Sequence, residues 1–594
     1  MIYEAECNHY NPSNIPVLPA YDFEAAFPSV IHKWIWAVLS HRRLPSHFIT
    51  LFQGIYHLAS ASVCHGTSRL TIIEFLSGVL QGCPGSAFLF NNALDPFLWR
   101  IHSCLRDRNR GISRACADDI GACLARLRHL QLIAPIFADA HRLAGFRLKP
   151  SKCVIVPLCQ FSEKVQNDIL KWIKRNIPEW REFRVLPCTK LLGFYLGPSA
   201  GSMNWTEQTQ KIRARVQSIQ NSQAPISTNA YSYNTRVVSV TSYVAQLLHI
   251  PDSFFQLERA ALHTVLRLPQ NTFCHNDLIH MHRVGGPKLR SITAASAAAM
   301  IRSATKTTPG WRNWVQQLTT AAEKYLPLEP LVRDTLTPSF WDSPPIAHSL
   351  RDAALGFPSH THFDISDSEL ICKIQHSGVG KMPVQKLVYQ ELISNKHKNC
   401  IHDTIQRRLT SLFQPFSLDF RNTIFLEDLL GSLRKSRVAE VMKVLKSWSN
   451  GWATSRRYHD DIQLPCLFGC QGHGDDLAHY LQCRHLFALW SFLTPGVSAD
   501  PLERWALINP CSESFLQIAC VFSGYHAVRR NFKGAGVDFH ENKLCSASLR
   551  AAWTVFADTF SVEARELGVS TLKFSVPSFF SISGQVVEDQ KKAH

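Results

Sequence analysis

Two adjacent aspartates, Asp118 and Asp119, stand in "ACADDIGACL" between two apolar, strand-like runs. Ile112–Leu124 therefore predicts a strand, a tight acidic turn and a second strand. Neighbouring carboxylates repel one another and gain nothing from packing, so positive charge is expected beside them. A third aspartate, Asp22, ends another apolar run in "LPAYDFEAAF". A strand-end carboxylate and a hairpin carboxylate can together hold two divalent cations roughly 3.5–4 Å apart, which stabilises both the attacking and leaving oxygens of a phosphoryl transfer. Mg²⁺ prefers a few carboxylates, with waters and substrate phosphates completing its shell. Each acidic segment by itself reads more readily as a solvated turn.

The stretch between them narrows the choice. "LQGCPGSAFLFNNALDPFL" joins Gln81 and Gly82 to a Pro84-Gly85 turn, Ser86 and then a helix. Gly and Pro there make a tight loop whose backbone can approach a planar ligand. Ile15–Phe23 predicts a strand, and Ile31–Ser40, Phe48–Ser60, Phe88–His102 and His129–Gly145 predict helices. Phe146–Leu158 predicts a further strand. The first 200 residues thus form an α+β unit.

Asp22 with Phe27 resembles motif A of reverse transcriptases. Gln81, Gly82, Pro84 and Ser86 resemble motif B, and Ala117-Asp118-Asp119 resembles motif C. "GFRLKPSK", Gly145–Lys152, is similar to motif D, and "LLGFYLG", Leu191–Gly197, to the motif E primer grip. All five occur in the family's order. Within the family, the forms of motifs B, D and E and the "GGPKLRSITAASAAAM" stretch are most similar to non-LTR (LINE-type) retrotransposon enzymes. The resemblance implies a right-hand polymerase palm, an antiparallel sheet with packed helices, followed by a helical thumb. It implies RNA-directed DNA synthesis from deoxynucleoside triphosphates, extending a DNA primer or target end on an RNA template. Asp22, Asp118 and Asp119 would hold two catalytic Mg²⁺ ions. Lys152 would approach the triphosphate as donor or general acid. Phe27 would block a ribose 2′-OH, the group that separates ribo- from deoxyribonucleotides. Gln81, Gly82 and Pro84 would shape the floor beneath template and incoming base.

There are departures. Cys116 takes the place of the aromatic that usually precedes motif C's Ala-Asp-Asp, and Lys149 stands where LINE-type enzymes often carry Asn. Asp22 lies close to Met1, whereas the family's fingers precede motif A, so most of the fingers region is expected to be lacking. A nucleic-acid-binding remnant or domesticated module without catalysis is therefore the alternative reading. A group II intron maturase is disfavoured, since no H-N-H nuclease pattern is recognisable.

Further along, "CLFGCQGHGDDLAHYLQC" spaces Cys466, Cys470, His479 and Cys483 as C-x3-C-x8-H-x3-C. Two thiolates on a short knuckle, then His and Cys four apart on one helical face, predict a closed, structural Zn²⁺ site. His473 and His485 are neighbouring decoys. The expected organisation is palm at 1–200, helical thumb at 201–305 and a helical connection with a Pro/Ser-rich linker at 306–454. The zinc segment follows at 455–490, and then a C-terminal region of unknown role at 491–594.

Lys plus Arg total 63 against 46 Asp plus Glu, a formal charge of +17. That balance favours a polyanionic partner such as nucleic acid. No run of 18 apolar residues exists, so no membrane-spanning helix is expected. Met1–Ala20 lacks the apolar core of a secretory signal, and the 18 cysteines are expected to be reduced thiols inside a cell. Element biology implies the nucleus. Cys274–His282 reads as an ordinary helix with polar histidines. The Gly-Lys segment around Lys381 is rejected as a phosphate loop, since Met382 replaces its Ser/Thr. Basic helices carrying Lys211, Arg213 and Arg215, or Arg434, Lys435 and Arg437, either track phosphates or are solvated faces.

Overall fold

The computed structural model describes residues 11–106, 109–201, 203–248, 250–307, 384–394, 400–414, 423–535, 539–540, 543–544 and 546–571. The chain divides into two compact units, Met1–Thr206 and Glu207–His594.

The first unit is built on a five-stranded sheet ordered β4-β5-β1-β6-β7. Its strands are β1 (Val17–Tyr21), β4 (Gly111–Cys116), β5 (Asp119–Leu124), β6 (Val154–Pro157) and β7 (Arg184–Val185). All pairings are antiparallel except β6 with β7. β1 buries Val17, Pro19 and Tyr21 on alternate positions, the period of a strand with one apolar face. Its register with β5 pairs Val17, Ala20 and Tyr21 but not Pro19, which has no N–H to donate. Two further hairpins are separate sheets: β2 (Ser60–His65) with β3 (Ser68–Glu74), and β8 (Thr189–Leu191) with β9 (Phe194–Leu196).

The helices of this unit are α1 (Ala26–Ser29), α2 (His32–His41), α3 (Ser46–Tyr56), α4 (Ser86–Arg106), α5 (Leu130–Ala144) and α6 (Glu163–Asn176). On α4, Leu89, Phe90, Ala93, Leu94, Phe97, Ile101 and Leu105 form one buried stripe at the 3.6-residue period. On α5 the stripe is Ile133, Ile136, Phe137, Ala140 and Ala144. Both join Val17, Tyr21, Ile120, Leu124 and Ile155 of the sheet in one core. α5 ends at Gly145, left-handed at φ 82°, where a Cβ would stand 2.2 Å from the Ser29 carbonyl oxygen. Only glycine fits that turn. The strand expected over Phe146–Leu158 is shorter: Val154–Pro157 pairs with β1, while Leu148 makes a lone bridge to Phe23. Between them, Lys149–Lys152 closes a turn on Asp22, so the chain's apolar run is interrupted by the site it serves.

The second unit is helical through α7 (Met203–Asn221, which begins before the division), α8 (Ile226–Ser232), α9 (Ser253–Val265), α10 (His275–Ile279) and α11 (Ile292–Thr307). Within the stretch 201–305, expected to be a helical thumb, the chain over Thr235–Leu248 is broken: a π-helical turn at Tyr233–Val237 is followed by 3-10 turns at Val238–Val240 and Val244–Gln246. β-branched residues at Val237, Val238 and Val240 lower helix propensity there. Cys274–His282 is likewise a short helix plus a 3-10 turn; His282 is exposed, but His275 and His280 are buried. His275 lies 3.2 Å from the buried carboxylate of Glu258, and His280 bonds the Ile393 carbonyl at 3.0 Å. Glu258 also accepts from the Ile292 and Thr293 amides at 2.6 and 3.1 Å, closing the N-terminus of α11. Burial opposes its charge, but His275 and these bonds outweigh that and hold the carboxyl below its usual range.

Farther on, the helices Cys400–Leu412, Thr423–Leu433, Val438–Trp448, Arg484–Leu493, Ser512–Ala535 and Ser546–Leu567 surround a core rich in large aromatics. Trp448, Trp452, Trp490, Trp505, Tyr480 and Tyr525 are fully buried. Most of their polar edges are used: Trp448 Nε1 donates to the Trp505 carbonyl at 3.0 Å and Trp452 Nε1 to Ser447 Oγ at 2.8 Å, whereas Trp490 Nε1 is buried without a partner. Arg434 and Lys435 lie in the turn after Thr423–Leu433 and not on a helix. The Pro/Ser-rich stretch, Lys381 and the Ser/Phe-rich run at 574–586 lie outside the described residues. Among those described, no helix is long and apolar enough to cross a membrane.

Candidate active site and metal centre

Asp22 is the residue after β1, and β4 turns into β5 through Ala117 and Asp118, with Cys116 paired to Asp119. Tyr21 stands opposite Ile120 in the antiparallel β1–β5 ladder. One further step in that register sets Asp22 opposite Asp119, with Asp118 in the turn beside it. The three carboxylates are thus brought to one end of the sheet by strand pairing alone. The carboxyl of Asp119 is pushed up by burial and then by the negative charges of Asp118 and Asp22. Ala117 adopts left-handed backbone, φ 52°, which costs an L-residue roughly 1–2 kcal/mol and is often found where a turn serves a site.

Asp22 is fastened from the other side by the turn that follows α5. Its carbonyl accepts from the Lys149 amide at 2.8 Å, and its own amide donates to Cys153 Sγ at 3.3 Å. Burial pushes the Cys153 thiol up to about 11, so the sulfur stays protonated. Lys152 Nζ lies 4.0 Å from Asp22 Oδ1, both side chains about half exposed. Nothing in the sequence singled out Cys153. Its only signal was adjacency to Lys152.

Phe27, on α1, stacks flat on Phe90 of α4, with centroids 4.2 Å apart and planes 8° apart. Its carbonyl accepts from the Val79 amide at 2.8 Å, which ties it to the approach of the Gln81 loop. Gln81, Gly82 and Pro84 are exposed in the turn before α4. That turn is latched from within. Tyr56 and Ser86 share a hydroxyl contact at 3.2 Å, the Leu80 amide donates to the Tyr56 oxygen at 3.3 Å, and Ser86 Oγ donates to the Leu80 carbonyl. A Cβ on Gly85 would stand 2.2 Å from the Phe52 ring. The β8–β9 hairpin turns through Leu192 and Gly193, both at positive φ, the geometry of a type I′ hairpin. Leu191 lies over Gly121 of β5, where a Cβ would come within 2.6 Å of Leu191 Cδ2.

Residues 6–195 match the family model of reverse transcriptase (RNA-dependent DNA polymerase). The match spans every residue of the site just described. This segment is a reverse transcriptase domain, and by that family resemblance an RNA-directed DNA polymerase. A reverse transcriptase domain uses a nucleic-acid template and primer, nucleotides and divalent metal.

Outside the reverse transcriptase domain, Cys466, Cys470, His479 and Cys483 bring one ligand atom each to within 4.8 Å of the others. Among the described residues this is the group of metal-ligating side chains that converges so closely; the aspartates are not drawn in as tightly. Cys483 Sγ is 3.8 Å from Cys466 Sγ and 3.5 Å from Cys470 Sγ. A tetrahedral centre with Zn–S bonds of about 2.3 Å separates its sulfurs by about 3.8 Å. His479 Nε2 is buried without a hydrogen-bond partner. Hydrogen bonds from Cys466 and Cys483 hold the Cys470 sulfur well below the ordinary thiol range, while Cys466 is pushed up to about 12 by the same pairing and Cys483 is raised by burial.

The local fold explains this convergence. The Cys466 amide bonds the His473 carbonyl at 2.8 Å, and Gly469 and Gly472 turn the knuckle at positive φ. His479 and Cys483 are not on one helix as their spacing predicts. The helix Leu477–Tyr480 stops, and Cys483 caps the next, Arg484–Leu493, accepting from the Leu486 amide at 3.4 Å. His473 stacks on His479 at 4.3 Å, whereas His485 Nδ1 is bonded to the Phe468 carbonyl at 2.8 Å. Beneath the knuckle, buried Asp475 accepts from Ser455 N, Tyr480 Oη and Tyr525 Oη at 2.6, 2.8 and 2.9 Å. Burial pushes its carboxyl up, opposed by those bonds.

Proposed function

We propose that the chain is the polymerase part of a LINE-type retroelement protein, extending a DNA 3′ end on an RNA template. The observation that carries this reading is the strand register that sets Asp22 opposite Asp119 with Asp118 in the adjoining turn. Three clustered carboxylates suit two Mg²⁺ ions and are poorly compensated without them. Asp22 and Asp118 would be the ligands and Asp119 would support them. The bound metals would lower the charge barrier at the attacking 3′ oxygen and the departing pyrophosphate. Lys152, held beside Asp22 by the Lys149–Cys153 turn, would place an ammonium against the triphosphate. Phe27, immobilised by its stack on Phe90, would meet the sugar edge. Gln81, Gly82 and Pro84 would support the templating pair from an exposed loop.

The Cys/His group fits a structural Zn²⁺. Its sulfur spacing, the orphaned His479 nitrogen and a convergence limited, among the described residues, to four ligands support a closed site without an open catalytic position. The bound metal would fix the knuckle against the Asp475–Tyr525 contact.

The reading is tested by primer extension on an RNA template with Mg²⁺, comparing the full chain with Asp118→Ala. Loss of extension with unchanged template binding is expected. Extension within a few-fold of the parent would overturn the assignment. A parent chain that binds RNA yet never extends would favour the binding-module reading.

A further inference from the structure

A cleft of about 440 Å³ opens within the second unit, between α9, the segment leading into α10, and the helix Cys400–Leu412. Three guanidinium groups line it: Arg259 from α9, and Arg407 and Arg408 from the later helix. Each bonds a neutral acceptor. Arg259 Nη2 donates to Asn271 Oδ1 at 2.8 Å, Arg407 Nη2 to Thr404 Oγ1 at 3.2 Å, and Arg408 Nη2 to the Asn271 carbonyl at 2.8 Å. Among the described residues, none of the three is ion-paired with a carboxylate. The one acidic liner, Asp277, is buried and spends Oδ2 on the Cys274 amide at 3.0 Å.

A fourth cation adjoins. Arg457 Nη2 donates to Thr272 Oγ1, a cleft residue, at 3.2 Å, and its Nε is buried with no partner. Burial, then the charge of Arg408, lowers the Arg457 guanidinium from its usual range. Four fixed cations around one cleft repel one another, and each keeps N–H donors in the planar fork that matches a phosphate edge. The volume is that of a ligand site and exceeds what one inorganic phosphate fills. On a chain of charge +17, the chemistry that satisfies such a cleft is a phosphodiester strand.

We propose that this cleft is a nucleic-acid contact belonging to the second unit, gripping the backbone phosphates of a strand. The proposal rests on the reading of the chain as a nucleic-acid-binding protein, but on neither its catalysis nor the aspartates. Arg408 also braces the backbone at Asn271, so the more exposed Arg407 and the side-chain-bonded Arg259 are the better probes.

The experiment is an equilibrium titration of the full chain with a fluorescein-labelled single-stranded RNA, and separately DNA, of about 20 nucleotides across a salt series. For Arg259→Gln/Arg407→Gln, binding is expected to weaken severalfold. The slope of log affinity against log salt should flatten by roughly 0.7 for each phosphate the variant no longer neutralises. Arg407→Lys should restore the slope, because charge and not fork geometry sets counterion release. Unchanged affinity and slope in the double variant would overturn the proposal. So would displacement of the oligonucleotide by millimolar phosphate or mononucleotide as effectively as by unlabelled strand, which would mark a small-phosphate pocket. A chain that never extends primers but loses oligonucleotide affinity with Arg407 would sink the polymerase reading and uphold this one.

Discussion

Asp22 and Asp119 face one another across the β1–β5 ladder, one step past the Tyr21–Ile120 pair. Like charges opposite each other in a ladder destabilise the sheet. Asp119→Asn should therefore raise the unfolding midpoint by about 0.5–2 °C in EDTA, for relief of a few tenths of a kcal/mol of repulsion. Adding Mg²⁺ should stabilise the parent more than the variant. Identical Mg²⁺ responses in thermal unfolding would argue that no cation is held between the strands.

Phe27 is wedged flat against Phe90. Phe27→Ala should let ribonucleotides in while deoxynucleotide use persists, raising the rNTP to dNTP incorporation ratio at least tenfold. A stability loss of about 3–5 kcal/mol is the upper bound for a buried Phe, and this half-buried ring should cost less. Single-nucleotide incorporation measures the ratio. No change would leave Phe27 with a packing role alone.

The Cys/His knuckle should carry one Zn²⁺ per chain. Thiolates must lose their protons to bind, so zinc should leave as pH falls. Cys470→Ser in the full chain should reduce bound zinc to substoichiometric levels and lower the melting transition of the second unit. Full zinc retained in that variant, or none in the parent, would mark the convergence as coincidental.

His526 should make the second unit acid-sensitive. Its Nδ1–H donates to the Phe522 carbonyl at 2.8 Å and its Nε2 accepts from the Ala453 amide at 3.3 Å, so a second proton would break the latter bond. Burial lowers it to about 3, against about 6.5 in an unfolded chain. Between those values the unfolded state takes up a proton and the folded state does not, so stability falls as pH drops below about 6.5. In His526→Gln the melting temperature should decline less steeply from pH 7 to pH 5. Parallel declines would show that His526 does not govern acid sensitivity.

Lys446 acts with the same sign in a more alkaline window. It is buried, lies 5.4 Å over the Phe522 ring, and is lowered to about 7, first by burial and then by Arg267 and Lys443. Unfolded lysine titrates at about 10.4. Between about 7 and about 10.4 the unfolded state alone is charged, so stability rises with pH across that span. Lys446→Met should melt higher than the parent at pH 7 and lose most of that rise. A lower melting point at pH 7 would mean that the ammonium contact with Phe522 outweighs its burial.

Much of this was legible from residue order. Apolar alternation located β1, β4 and β5, and the 3.6-residue stripes located α2, α4 and α5, because those periods are set by backbone geometry and need no partner. The acidic turn at Asp118–Asp119, the Gln81–Gly85 loop and the Cys466–Cys483 knuckle were visible because turn and ligand chemistries demand particular residue types at fixed spacing. The break in the helical thumb over Thr235–Leu248 was not, since local pattern does not register how β-branched side chains settle against neighbouring elements.

Sequence by itself thus determined which side chains could do chemistry and which local conformations would carry them. Tertiary structure decided which of them meet. The register of β1 on β5 converts carboxylates almost a hundred residues apart into one site, because a ladder aligns partners by hydrogen bonding and not by distance along the chain. The same holds for Cys153 beneath Asp22, and for Arg259, Arg407 and Arg408 around their cleft. None has a local pattern that names its partner. Burial and charge acquire their sign from the surroundings that folding supplies: a histidine made reluctant to take a second proton, a lysine lowered to about 7, a thiol cluster closed to tetrahedral spacing.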